Sequence, residues 1–350
     1  MELRGAWRRA RLWSIRLGVV ISMVYAVLGF VAAPLGDFHA HFSLMAPSIV
    51  VFTSSMAYAY AVPALSRLGS AAEAAGIPAV ALLALYPAAL YLGYGFSWLL
   101  YSAGALLLAT LSAAGVAAMR SSLLKASYLH IALSYAVSAV LVPLALGRLG
   151  AGAAGMAAVY GLLLPMVYAV SYQSFSMTCG VKPVLWLLPV STGLSLAAGA
   201  LLLTGPAGLS SLLAALSTVL YALGARIYRA GRCARSGSLA HSYFAAGYVG
   251  VLASLIPVIY AALAGGDVYT MHMVAIAFIG MHIAVHAPMM VPAAAAGIPN
   301  ARRYSIAPFL VGLSAAAAWK ACCLCSSVFL IYWLALVLLV AAALRRARQY

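Results

Sequence analysis

Asp267-Val-Tyr-Thr-Met-His272-Met-Val-Ala-Ile-Ala-Phe-Ile-Gly-Met-His282-Ile-Ala-Val-His286-Ala-Pro-Met-Met-Val-Pro292 is the stretch that decides the fold. After Asp267 it carries no formally charged side chain up to Pro292. At ~1.5 Å per residue it is long enough to cross ~30 Å of hydrocarbon as a helix. Comparable apolar runs recur along the whole chain. They predict helices at about residues 12–34, 39–62, 79–95, 97–118, 127–147, 151–173, 183–204, 208–228, 240–264, 267–296, 305–321 and 325–344. The composition agrees, with 66% hydrophobic residues, 7% charged residues and a mean hydropathy of +1.07. A soluble domain carries roughly 25% charged residues, so these charges are too few to cover a water-facing surface. The expected fold is an all-α membrane protein of twelve transmembrane helices, forming a single integral membrane domain over residues 1–350. The run from Leu12 to Pro34 is too long for a signal-peptide core and reads as a retained first helix.

Charge placement orients these helices. The formal net charge is +16, but the basic residues are scattered over short loops and the two tails. That distribution excludes a nucleic-acid surface and follows the positive-inside rule. With the N-terminus inside, 18 of the 20 Lys and Arg residues fall on the inner side, and only Arg148 and Lys320 fall outside. The expectation is a multi-pass protein of the cell membrane, both termini cytoplasmic, with membrane lipid as its surroundings.

A repeat is also expected. Asp37 and Asp267, the two outer carboxylates, are 230 positions apart, twice 115. At an offset of 115, Pro165-Met-Val-Tyr-Ala-Val-Ser aligns with Gly280-Met-His-Ile-Ala-Val-His. Three four-helix repeats follow, at about residues 12–118, 127–228 and 240–344.

The candidate site lies among the histidines. There are seven, in a chain with four acidic residues. Ionisable side chains in a bilayer are costly and face the bundle interior. His282 and His286 are one turn apart on one face of helix 10. On α-helical projection His272 lies about 40° from His286 and ~21 Å higher, so all three are expected on one stripe. Such a stripe is either a polar seam between helices or a metal or haem site. Helix 2 opens with Asp37-Phe-His39-Ala-His41, and only one histidine of that pair can face the core. His41 and His272 follow Asp37 and Asp267 by four and five residues on two helices that both run outside to inside. They are expected at one depth, suited to axial ligation of one haem iron. Asp37 or Asp267 is expected either to orient a ligating imidazole or to cap its helix. His130 and His241 fall near inner helix ends, where contact with a quinone or a haem propionate is one reading and plain amphipathic packing the other. The five cysteines form no Cys-x-x-Cys pair. Cys322, Cys323 and Cys325 read either as soft-metal ligands or as small hydrophobes.

The helix-10 stretch resembles a segment of NnrS-like proteins, relatives of the haem–copper oxidase catalytic subunit. Met166-Val-Tyr-Ala-Val-Ser171 in helix 6 and His39-Ala-His41 in helix 2 look like companion motifs. The resemblance implies twelve helices in three arcs of four, with low-spin haem held by histidines near the outer ends of helices 2 and 10. His41 and His272 occupy those places. Two departures limit it. No histidine lies between His130 and His241, where the oxidase copper site needs them on helices 6 and 7, and no helix interior carries a carboxylate. The resemblance therefore does not extend to a proton-pumping oxygen reductase.

The leading expectation is a haem-binding membrane protein of this group, in electron transfer or nitric-oxide-related chemistry. His41 and His272 would be its axial ligands, with His39 the alternative on helix 2. His282 and His286 would form a second site, for copper or another transition metal, a second haem or a quinol. The alternatives are a twelve-helix secondary transporter and a non-catalytic scaffold or haem-trafficking subunit. Substrate and redox partner are left open by the sequence.

Overall fold

The computed structural model describes residues 2–205, 208–235, 239–264 and 266–296. The helices expected at 305–321 and 325–344, with Cys322, Cys323 and Cys325, lie outside the described residues.

The described residues form helices and no strand. We label the long ones in chain order: α1 Glu2–Ala32, α2 Phe38–Leu65, α3 Gly76–Tyr91, α4 Ser97–Ala118, α5 Ser122–Leu149, α6 Ala151–Cys179, α7 Leu187–Leu201, α8 Leu209–Ala225, α9 Leu239–Ala264 and α10, which runs as Gly266–His272, Met273–Ile279 and Gly280–Ala296. Each matches one of the first ten helices expected from hydropathy. Eight are long and apolar enough to cross a membrane, and the bent pair Leu209–Ala225 and Ile227–Ala234 makes a ninth. The tenth, α7, is apolar but shorter. α1 begins about ten residues earlier than expected. Its first turns are rich in arginine, which hydropathy scores as non-helical but helix propensity favours.

Three helices form the centre. Buried positions make up 67%, 83% and 78% of the most apolar stretches of α2, α6 and α10, against 44–56% for the other spans. α2 and α10 begin side by side at His41 and His272, Asp267 at the start of α10 meets the start of α8, and α6 and the segment after α8 end together at Cys179 and Cys233, so α2, α6 and α10 run in the same direction. One end of the bundle gathers the basic connections: Arg11 pairs with Glu73 at 2.7 Å, and Arg67 Nη1 donates to the Ala118 carbonyl. Asp37 and Asp267 begin α2 and α10 at the opposite, acidic end.

Lipid gives helices no hydrophobic reason to associate, so close packing and interhelical hydrogen bonds must hold them. Both are present. Ser127 Oγ donates to the Ala169 carbonyl, Tyr128 Oη to the Tyr60 carbonyl and Ser195 Oγ to the Tyr160 carbonyl, at 2.6–2.9 Å. Gly29 lets α1 approach α2 so closely that a Cβ there would lie 2.8 Å from the Met45 backbone nitrogen.

Two central helices contain π-helical segments, Val159–Leu163 in α6 and Met273–Ile279 in α10, and the two segments pack together. A π segment closes i→i+5 bonds and turns less per residue than an α-helix. It therefore overturns the single histidine stripe expected from α-helical projection. His272 precedes the segment and His282 and His286 follow it, so they face different neighbours.

A candidate bis-histidine site and a tyrosine–histidine cluster

At the acidic end, Asp37 caps α2 by accepting from the Ala40 backbone N–H at 2.9 Å. The helix phase set by that cap divides the two histidines that follow. His39 turns outward, exposed, stacked on Tyr91 with its Nε2 3.0 Å from the Tyr91 carbonyl. His41 turns inward and is half-buried.

His41 meets His272. The ring centres are 6.1 Å apart and the planes lie within 1° of parallel. His41 Nδ1 is 2.8 Å from the Gly29 carbonyl, and His272 Nδ1 is 2.7 Å from the Val268 carbonyl. A carbonyl oxygen can only accept, so each Nδ1 carries the ring proton and each Nε2 carries the lone pair. Metal-binding histidines are oriented in this way, often by a backbone carbonyl on the second nitrogen. Two imidazoles that would hold one metal between them at about 2.0–2.1 Å per bond would have ring centres about 6.3 Å apart. The observed ring-centre distance of 6.1 Å is close to that value, so His41 and His272 are the residues that would hold such a group.

The aspartates serve elsewhere. Asp267 accepts from Ser211 Oγ and lies 3.5 Å from the Gly208 backbone nitrogen, at the start of α8. It joins α10 to α8, as Asp37 holds the start of α2. Backbone carbonyl groups hold the Nδ1 atoms of both imidazoles. Sequence reasoning could not find them, because a backbone carbonyl leaves no residue signature. Only the small Gly29 marks where one helix comes close enough to offer its backbone.

Further along α10, His282 and His286 face α8 and α9. His282 Nδ1 lies 2.8 Å from the Phe278 carbonyl, so its Nε2 accepts from Tyr221 Oη at 2.8 Å. His286 Nε2 pairs with Tyr248 Oη at 3.1 Å. Phe278, Phe244, Tyr168 and Phe175 pack around these rings. Both nitrogens of His282 are thus engaged by protein groups, so a metal there would have to displace Tyr221. Among the described residues no group of three or more His, Cys, Asp or Glu side chains is placed to hold one metal ion. Tyr221 and Tyr248 were missed from the sequence, since they lie 61 and 38 positions from their partners. On their other side the two imidazoles line an apolar crevice of about 70 Å³ between α2, α6 and α10, with Met56, Met166 and Met290.

His130 is buried with Nδ1 on the Ala126 carbonyl one turn back, and His241 is half-buried near the start of α9. Neither joins the His41–His272 pair. At the basic end Cys179 and Cys233 form a disulfide. The cysteines gave no sign of it in sequence, because 54 positions separate them and no local motif marks them.

No family model, no curated protein and no solved structure matches the chain.

Proposed function

We propose that the chain is a haem-binding integral membrane protein in which His41 and His272 are the axial ligands. The observation that carries this reading is the facing pair: rings 6.1 Å apart and parallel, with each Nδ1 on a carbonyl oxygen. Haem held by two histidines supplies one-electron redox chemistry, which favours electron transfer as the role. The protein's own residues fix the ligands. Gly29 and Val268 set the tautomers, and the Asp37 cap sets the phase of α2.

The wider frame is part of the same proposal: twelve helices in three repeats of four, with both termini in the cytoplasm. Two features support the repeat. At an offset of 115 the π segment Val159–Leu163 falls on residues 274–278, inside Met273–Ile279. The crevice between the central helices is lined by positions related by the same step, Phe52, Val167 and His282, then Met56, Ser171 and His286. Such a frame is that of the haem–copper oxidase subunit, whose relatives, the NnrS-like proteins, the helix-10 stretch resembles. The engaged nitrogens of His282 favour a structural seam there over a second metal centre.

The test is an optical spectrum and iron analysis of protein purified from haem-replete cells. A six-coordinate low-spin haem spectrum, with about one iron per chain, is expected. A protein with no Soret absorption and no bound iron would sink the proposal, and copper in place of iron would transfer the pair to a different metal.

A further inference from the structure

Cys179 is the last residue of α6, and Gly180 after it ends the helix in the left-handed region at φ 62°. Cys233 lies in the short turn Gly231–Ala234 that follows α8. The bond between them joins the basic end of α6 to the connection carrying Arg226, Arg229, Arg232 and Arg235. Both cysteines are buried, at 8% and 1% exposure, in a packed layer with Ile227 and Ala230. Val184, just past the bond, donates its N–H to the Gly224 carbonyl of α8 at 2.8 Å. The elements fastened here are those that build the tyrosine–histidine cluster. α6 brings Ser174, α8 brings Tyr221, and α9 brings Tyr248, whose hydroxyl lies 3.4 Å from Ser174 Oγ.

The location is unusual. The positive-inside reading puts this arginine-rich end in the cytoplasm. Cytosolic disulfides are rare because dithiol systems reduce them, the exception being the intracellular proteins of hyperthermophiles. Reduction would need a dithiol to reach a sulfur, forming a mixed disulfide. Two electrons and two protons would then leave Cys179 and Cys233 as thiols and the reductant as a disulfide. Burial of both sulfurs opposes the first contact.

We infer that the Cys179–Cys233 bond is a permanent covalent clasp on the cytoplasmic face, closing the ends of α6, α8 and α9 around the tyrosine–histidine cluster in a cell whose cytoplasm keeps such bonds oxidised. This rests on the orientation proposed above and not on haem binding. The test uses membranes of the native cell, quenched with N-ethylmaleimide at lysis, followed by non-reducing peptide mapping. Trypsin is applied in parallel to sealed vesicles of each sidedness. A cross-linked Cys179/Cys233 peptide is expected, with cleavage after Arg226–Arg235 only where the cytoplasmic face is exposed. In detergent the bond should resist dithiothreitol until the protein is unfolded. Cys179→Ser with Cys233→Ser should lower the melting temperature by several degrees. Maleimide on both cysteines in the quenched membranes would overturn the clasp. A cross-linked peptide with cleavage from the outer face would overturn its cytoplasmic placement, and with it the proposed orientation.

Discussion

The His41–His272 pair depends on residues that bind nothing themselves. Gly29 is the clearest case. Its carbonyl holds His41 Nδ1, and a Cβ there would meet Met45 backbone at 2.8 Å, with Leu44 Cβ at 3.0 Å. Backbone cannot step aside as a flexible side chain can. Gly29→Ala should therefore push α1 from α2, at about 1–3 kcal/mol, and loosen His41; a thermal melt and the haem content of the purified protein would show both. Tyr221 should behave differently. Tyr221→Phe strips the donor from a buried imidazole and should cost about 1–3 kcal/mol while leaving the haem spectrum alone. Loss of the spectrum in that variant would mean that the cluster and the pair are one site. At this scale the sequence was legible for ligand-type residues and illegible for their partners. His41 and His272 stood out because imidazoles are rare in a membrane chain and their depths could be matched from Asp37 and Asp267. Which of His39 and His41 faced inward needed the helix phase set by the cap.

Helix identity was largely readable and helix geometry was not. Hydropathy marked the spans because lipid admits backbone only as helices or closed barrels. It carries no sign of a π segment, which arises from one extra residue inside a continuous apolar run. The segment Met273–Ile279 decides that His272 looks toward α2 while His282 looks toward α8. Inserting one further alanine after Ala275, where the wide turns already absorb an extra residue, should rotate His272 about 100° relative to His282. Ligation should be lost while the chain still inserts, checked by spectrum and by membrane fractionation. The clasp belongs to this scale too. Closing 54 positions is worth about 4 kcal/mol on the chain-entropy estimate for a free chain, and less where the helices stay in lipid.

For the whole molecule, the basic residues and the central helices tell one story. Parallel α2, α6 and α10 are the most buried spans, and the pair that they hold sits at the end away from the arginines. That end should face outward. A cysteine introduced at Gly36, in the turn beside Asp37, should react with an impermeant maleimide on intact cells, and one at Ser121 should react only after permeabilisation. The reverse pattern would invert the topology and place the histidine pair toward the cytoplasm. The helix order and the polarity of the ends were readable because they follow from length and charge. The substrate was not, since it depends on contacts between helices far apart in sequence.

The measurement that tests the central claim most directly compares the optical spectra of the wild type with those of His41→Ala, His272→Ala and His39→Ala, all expressed with haem. The wild type and His39→Ala should show the same six-coordinate low-spin haem. Each of the other two should lose it, through a five-coordinate spectrum or loss of haem. An intact bis-histidine spectrum in His41→Ala or His272→Ala would contradict the assignment.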